Sequence, residues 1–149
     1  MTLAPKIAAR QKARRLVMQA LYQWRMAAAD PDDIAAEFRA STHGGKSGGK
    51  KKVDWDYFDA LFPAITANRD KLLGHIAPLL DRDTESLTPV EWAILLLSCY
   101  ELAERDDVPG RVVINEAVEL AKGYGATGSY KYINAVLDKL SHQLRPTEQ

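Results

Sequence analysis

The residues best suited to chemistry lie near the end of the chain, in Gly123-Tyr124-Gly125-Ala126-Thr127-Gly128-Ser129 and the Tyr130-Lys131-Tyr132 that follows. One cation between two aromatics, at a helix start beside a glycine-rich corner, suits phosphate contact and base stacking. A plain helical hairpin would have the same local pattern. A second group of cations opens the chain. Residues 1–29 contain Lys6, Arg10, Lys12, Arg14, Arg15 and Arg25 and no acid. The formal net charge is zero, so residues 30–149 carry the balancing −6. Positive charge concentrated on an otherwise acidic chain is the pattern of a localised anion site. A solvated helix face is the competing reading.

Other chemistry is poorly supported. Gly44 to Lys50 has the G-x4-G-K spacing of a phosphate-binding loop, but Lys51 replaces the hydroxyl residue that would hold magnesium. Gly45-Lys46-Ser47 ends correctly, but Ala40 stands where the first glycine belongs. No strand precedes either frame, and the motif needs one. Glu116 and Glu119 form a carboxylate pair with no base or pocket indicated. His43, His75 and His142 stand alone, without metal-ligand spacing. Cys99 is the single cysteine and sits in an apolar run, which reads as a small buried hydrophobe. These features predict no enzyme activity, no catalytic residue, no metal and no cofactor.

The elements that position the two cation groups follow from hydrophobic periodicity. Lys6 to Ala28 reads as one helix with Ala13, Leu16, Val17, Ala20, Leu21 and Trp24 inward. Lys6, Arg10 and Arg14 recur every fourth residue, a neighbouring stripe that can face outward. Tyr22 and Arg25 continue its exposed border. Asp30-Pro31 starts a short second helix through Ile34, Ala35 and Phe38. Ser41 to Lys52 is Gly/Lys-rich, and residues 42–52 are expected to be a flexible loop. Asp54 caps a helix carrying Phe58, Leu61, Phe62 and Ile65, which Pro63 should kink or restart. Leu72 to Leu80 is a further helical segment. Thr88-Pro89-Val90-Glu91 has the signature of a capping box, and the apolar run after it predicts the central buried helix. Two amphipathic helices close the chain between Arg111 and Leu140, with Gly123 and Gly125 at the end of one and Ser129 as N-cap of the next. The chain is expected to fray after Pro146. The longest apolar run, Ala93 to Cys99, is too short to span a bilayer, and no signal peptide is present, so a cytoplasmic protein is expected. The fold class is all-α with about seven helices.

At this level of detail Thr88 to Leu140 resembles the NusB family of bacterial transcription antitermination factors. The likeness rests on YEL, DVP, INEAVELAK, the glycine corner and NAVLDK, with a second match in ARRLVMQALYQW from Ala13 to Trp24. The resemblance implies two packed helical lobes, about 1–85 and 86–146, forming one non-catalytic RNA-binding domain. It implies boxA RNA and the ribosomal protein NusE as partners, within the RNA polymerase antitermination complex and with other Nus factors. The basic arm maps onto Arg10, Lys12 and Arg14, beside Lys6 and Arg15. The helix after the corner contributes Lys131 and Tyr132, beside Tyr130. The NusE-facing residues map onto Tyr22 and Glu91. Gln11, Gly128 and Tyr130 depart from the residues common in the family. Family members include monomers and homodimers. Two other readings are a protein-interaction scaffold without RNA, and a detached NusB-like domain of an RNA methyltransferase.

Overall fold

The computed structural model describes residues 3–44 and 52–148. Among these there are seven α-helices, three 3-10 turns and no strand, in two compact units, Met1–Ala67 and Asn68–Gln149. The expected division near residue 85 is displaced. Residues 68–85 join the second unit because their helix packs on its central helix.

In the first unit, α1 (Ala4–Ala27) packs on α2 (Pro31–Gly44) and α3 (Trp55–Ala67). Ala13, Leu16, Val17, Ala20 and Leu21 are buried as the periodicity requires, whereas Trp24 is half-buried. The α1 helix ends with Ala28 at a left-handed φ of 53° and its N–H on the Trp24 carbonyl at 3.0 Å. Asp30 Oδ1 then accepts from the Asp32 N–H at 2.8 Å. The second helix is not short. It continues through Ser41 to Gly44, where a loop was expected, because packing on α3 extends it. Phe38 stacks near Phe58 at 6.5 Å, and Arg39 pairs with Asp59 while covering the Trp55 ring at 4.9 Å. Most of the expected loop, residues 45–51, lies outside the described residues. Pro63 neither starts nor ends α3, which runs through it with Phe58, Leu61, Phe62 and Ile65 buried. The proline is exposed, so its ring meets solvent rather than the core.

The second unit comprises α4 (Arg69–Ile76), α5 (Pro89–Glu104), α6 (Gly110–Tyr124) and α7 (Ser129–Leu144), with 3-10 turns at Ala77–Leu79, Thr84–Ser86 and Pro146–Glu148. Every residue from Glu91 to Cys99 is buried, so α5 is the centre against which the other three helices pack. Its capping box is complete. Thr88 Oγ1 accepts from the Glu91 N–H at 3.1 Å, and Glu91 Oε1 accepts from the Thr88 N–H at 3.0 Å. The far end of α5 is held by Arg145, which donates to the carbonyls of Glu101, Leu102, Arg105 and Val108 and to Glu148. Glu148 also accepts from the Gly110 N–H at 2.9 Å, so the chain stays ordered past Pro146 rather than fraying there.

The corner between α6 and α7 uses its glycines differently from the sequence expectation. Gly123 is inside α6, and Gly125 is extended rather than left-handed, at φ −87°. Gly125 is required by close approach. A Cβ there would lie 2.8 Å from the Ala121 carbonyl oxygen. The left-handed residue is Gly128, at φ +82°, and it takes the N-cap position expected for Ser129. Ser129 is the first helical residue instead, buried, with its hydroxyl donating to Glu91 Oε2 at 2.8 Å.

Candidate nucleic-acid interface

The N-terminal cations divide into two groups. Lys6 is exposed, and Lys12 and Arg15 are half-buried. Arg10 is half-buried and Arg14 buried, so with Lys6 they do not make one evenly exposed stripe. One turn apart on α1, both meet the start of α3. The Arg10 guanidinium lies 4.1 Å from the Tyr57 ring centroid and its Nε is 3.5 Å from Asp54 Oδ2. Arg14 lies 5.3 Å from the same ring and is only 4% exposed. The physical reason is that Asp54 and Tyr57, far along the chain, supply the acid and the aromatic face that the first twenty-nine residues lack. Asp54 also caps α3, accepting from the Tyr57 N–H at 3.0 Å through Oδ1, while its own N–H donates to Ala9 O at 3.1 Å. This fixed carboxylate anchors Arg10 to the α3 start.

At the start of α7, Lys131 is exposed and Tyr130 and Tyr132 are half-buried. Lys122 sits over the Tyr130 ring at 5.0 Å. Tyr132 is covered on one face by Arg82, whose guanidinium carbon is 4.1 Å from the ring centroid. Arg82 Nε donates to Asp81 Oδ1 at 2.9 Å. That hydrogen bond holds the Asp81 carboxyl below its usual range and raises the Arg82 guanidinium. Burial, chiefly, pushes the Tyr132 phenol up. Its hydroxyl is buried and, among the described residues, has no partner in hydrogen-bond geometry, although Asp81 is near enough to influence its ionisation. Sequence reasoning missed Arg82. It lies in a short acidic segment fifty residues before Tyr132, and no spacing rule links the two.

Of the two residues mapped to a protein partner, Tyr22 is 40% exposed, with Met26 exposed one turn later on α1. Glu91 is 7% exposed, and both its oxygens are engaged, one by Thr88 and one by Ser129. It joins the start of α5 to the start of α7.

Among the described residues there is no cluster of three metal-ligating side chains. A cleft of about 320 Å³ beside His75, Tyr100 and Glu104 is lined by no serine, threonine or cysteine. Glu119 pairs with Lys122 at 3.6 Å. No helix of the described residues is long and apolar enough to cross a membrane.

Comparison with known proteins agrees with this all-helical frame. Residues 11–142 match the model of the NusB family. The transcription antitermination protein NusB of Alcanivorax borkumensis is 50% identical over 140 residues, covering 94% of this chain and 89% of that protein. Its namesake from Paraburkholderia phytofirmans is 45% identical over 140 residues, covering 94% and 93%. Among solved structures, T. maritima NusB superposes with a TM-score of 0.78 at 28% identity, covering 93% of this chain and 94% of that one. A crystal structure of the antitermination factors NusB and NusE in complex with double-stranded RNA has a TM-score of 0.74 at 22% identity, covering 89% and 96%, a likeness of fold. The family match spans most of the chain and the curated relatives exceed 40% identity, so the chain belongs to the NusB family.

Proposed function

We propose that the chain is a transcription antitermination factor. In this reading it is a non-catalytic cytoplasmic adaptor that binds boxA RNA of nascent transcripts together with the ribosomal protein NusE. It thereby modifies elongating RNA polymerase alongside other Nus factors. The observation that carries the reading is the 50% identity, over 94% of the chain, to a relative that bears the name transcription antitermination protein. The solved complex of a like-folded NusB with NusE and RNA supports the two partner classes.

Within this reading Lys6, Lys12, Arg15 and Lys131 contact phosphates, and the Tyr130–Tyr132 turn meets the bases. Arg10 and Arg14 act at one remove, by fixing α1 to the Tyr57 end of α3. Tyr22, with Met26, forms the NusE contact. Glu91 serves that partner through the α5–α7 junction it holds, since both its oxygens are used internally.

The test is titration of labelled boxA RNA at several salt concentrations, with and without NusE. Lys6→Ala, Lys12→Ala, Arg15→Ala and Lys131→Ala should each lower the salt slope by about 0.7, the value for one phosphate contact on a single strand. Arg14→Ala should lower stability and leave the slope unchanged. NusE binding should fall in Tyr22→Ala. No binding of boxA RNA by the folded wild-type chain, with or without NusE, would refute the reading.

A further inference from the structure

The Tyr132 ring is not an open stacking platform. On one face the Arg82 guanidinium lies 4.1 Å from its centroid, and the Arg82 side chain is 40% exposed. A base approaching from that side meets the guanidinium first. The ring cannot easily turn away, because its hydroxyl end is buried. Arg82 is further oriented by its Nε hydrogen bond to Asp81.

We propose that Arg82 is the base-stacking surface of this site and Tyr132 its support. The guanidinium, seated on the ring and held by Asp81, presents its solvent side to an unpaired base of single-stranded RNA. The inference rests on the RNA-binding reading above and assigns it a residue outside the motifs that carried the resemblance.

Local charge decides what Arg82 can recognise. Asp81, Asp83 and Glu85 are exposed in the same short segment. A phosphate would meet these carboxylates as well as the guanidinium, whereas an uncharged base would not. Guanidinium planes stack on unpaired bases, and the group is weakly hydrated, so covering it costs less than covering an ammonium. The phosphate contact falls to Lys131, the exposed neighbour of Tyr132.

The experiment is fluorescence anisotropy with a short, end-labelled single-stranded boxA RNA at several salt concentrations. It compares wild type with Arg82→Ala, Arg82→Lys, Tyr132→Leu and the double variant Arg82→Ala/Tyr132→Leu, each checked for folding by circular dichroism. Arg82→Ala should weaken binding by about tenfold, within the range for one stacked base, with an almost unchanged salt slope. Arg82→Lys should not restore it, because an ammonium keeps the charge but has no plane to stack. Tyr132→Leu should weaken binding, and the double variant should be no weaker than Arg82→Ala alone. Undiminished or tighter binding by Arg82→Ala would overturn the inference, since Arg82 would then merely cover the ring. Full rescue by lysine would overturn it too, in favour of a phosphate contact. In either case binding by the wild type leaves the antitermination reading standing, whereas no binding by the wild type removes that reading and this inference with it.

Discussion

Replacing Arg145 by alanine should be among the most damaging single changes in the second unit. Arg145 Nε donates to Leu102 O at 3.0 Å, and Nη2 donates to Glu101 O at 2.9 Å and Arg105 O at 2.8 Å. Nη1 donates to Val108 O and to Glu148 Oε2, the latter at 2.8 Å. The guanidinium therefore gathers four carbonyls at the end of α5 and the following turn, two of which, Glu101 and Arg105, also accept from the N–H groups of Arg105 and Val108. Its side chain is only 4% exposed. Truncation removes a donor from four carbonyls at once, of which Glu101 and Arg105 keep a backbone N–H, and a buried acceptor that is orphaned costs about 1–3 kcal/mol when water cannot reach it. Water will enter part of the space vacated, so the penalties do not simply add. The expected loss is about 3–5 kcal/mol, the range for breaking a buried charged cluster. Small domains are stable by only about 5–15 kcal/mol, so this is a large share. Lysine offers three donors from a compact head and cannot reach the same spread of carbonyls, so Arg145→Lys should recover about half of the loss at most. Urea unfolding followed by far-ultraviolet circular dichroism measures both variants. A loss below about 1 kcal/mol for Arg145→Ala, at unchanged m-value, would refute the reasoning.

The other predictions concern pH, reactivity and the glycine corner. The Glu148 carboxyl lies below its usual range because it accepts from the Gly110 N–H and from Arg145. Its contribution to stability is therefore present above the ordinary glutamate value of about 4.3 and lost as pH falls through the lower folded value. Urea midpoints measured down through that window should show a steeper acid loss in wild type than in Glu148→Gln. The Cys99 thiol is fully buried and is pushed up to about 12 by burial, so a thiol reagent at pH 8 should leave the native protein unmodified and label it in denaturant. Gly128→Ala meets no neighbour and should cost only the left-handed backbone penalty of about 1–2 kcal/mol. Gly125→Ala should cost more, because its Cβ meets a backbone oxygen at 2.8 Å, and the opposite order of melting temperatures would refute that account.

Much of the helical frame was legible because local rules and burial agree in it. The Thr88 capping box, the buried run of α5 and the Asp54 cap all follow from short patterns whose partners lie within one turn. Three features were not legible, each for a distance reason. The α2 helix persists to Gly44 because Phe38 and Arg39 find partners on α3. Ser129 gives up its capping role because Glu91, thirty-eight residues earlier, takes its hydroxyl. Residues past Pro146 are ordered by Gly110, a contact across the same sequence distance. The family resemblance points to segments near both ends of the chain, but the geometry at those segments depends on such pairings.

The cations show the same limit most clearly, and they divide largely by chemical type. A charge count treats arginine and lysine alike, yet the structure does not. Arg10 and Arg14 lie on Tyr57, Arg39 on Trp55 and Arg82 on Tyr132, while Arg145 is buried among carbonyls. Lys6 and Lys131 are exposed, and Lys122, 5.0 Å from the Tyr130 ring centroid, is an exception to the division. A guanidinium is planar and weakly hydrated, so an aromatic face or a set of carbonyls can replace its water, while an ammonium is strongly hydrated and stays in solvent. The acid-free opening segment therefore overstates the charge that α1 offers an anion. Two of its six cations are committed to the start of α3 and Arg25 is half-buried, so the electrostatic work proposed for α1 falls on Lys6, Lys12 and Arg15, and that proposed for the start of α7 on Lys131. The arginine on Tyr132 is suited to a different task, recognition of an uncharged base. That division of labour is what the salt dependence of the two sets of variants can separate, because phosphate contacts release counterions and stacking does not.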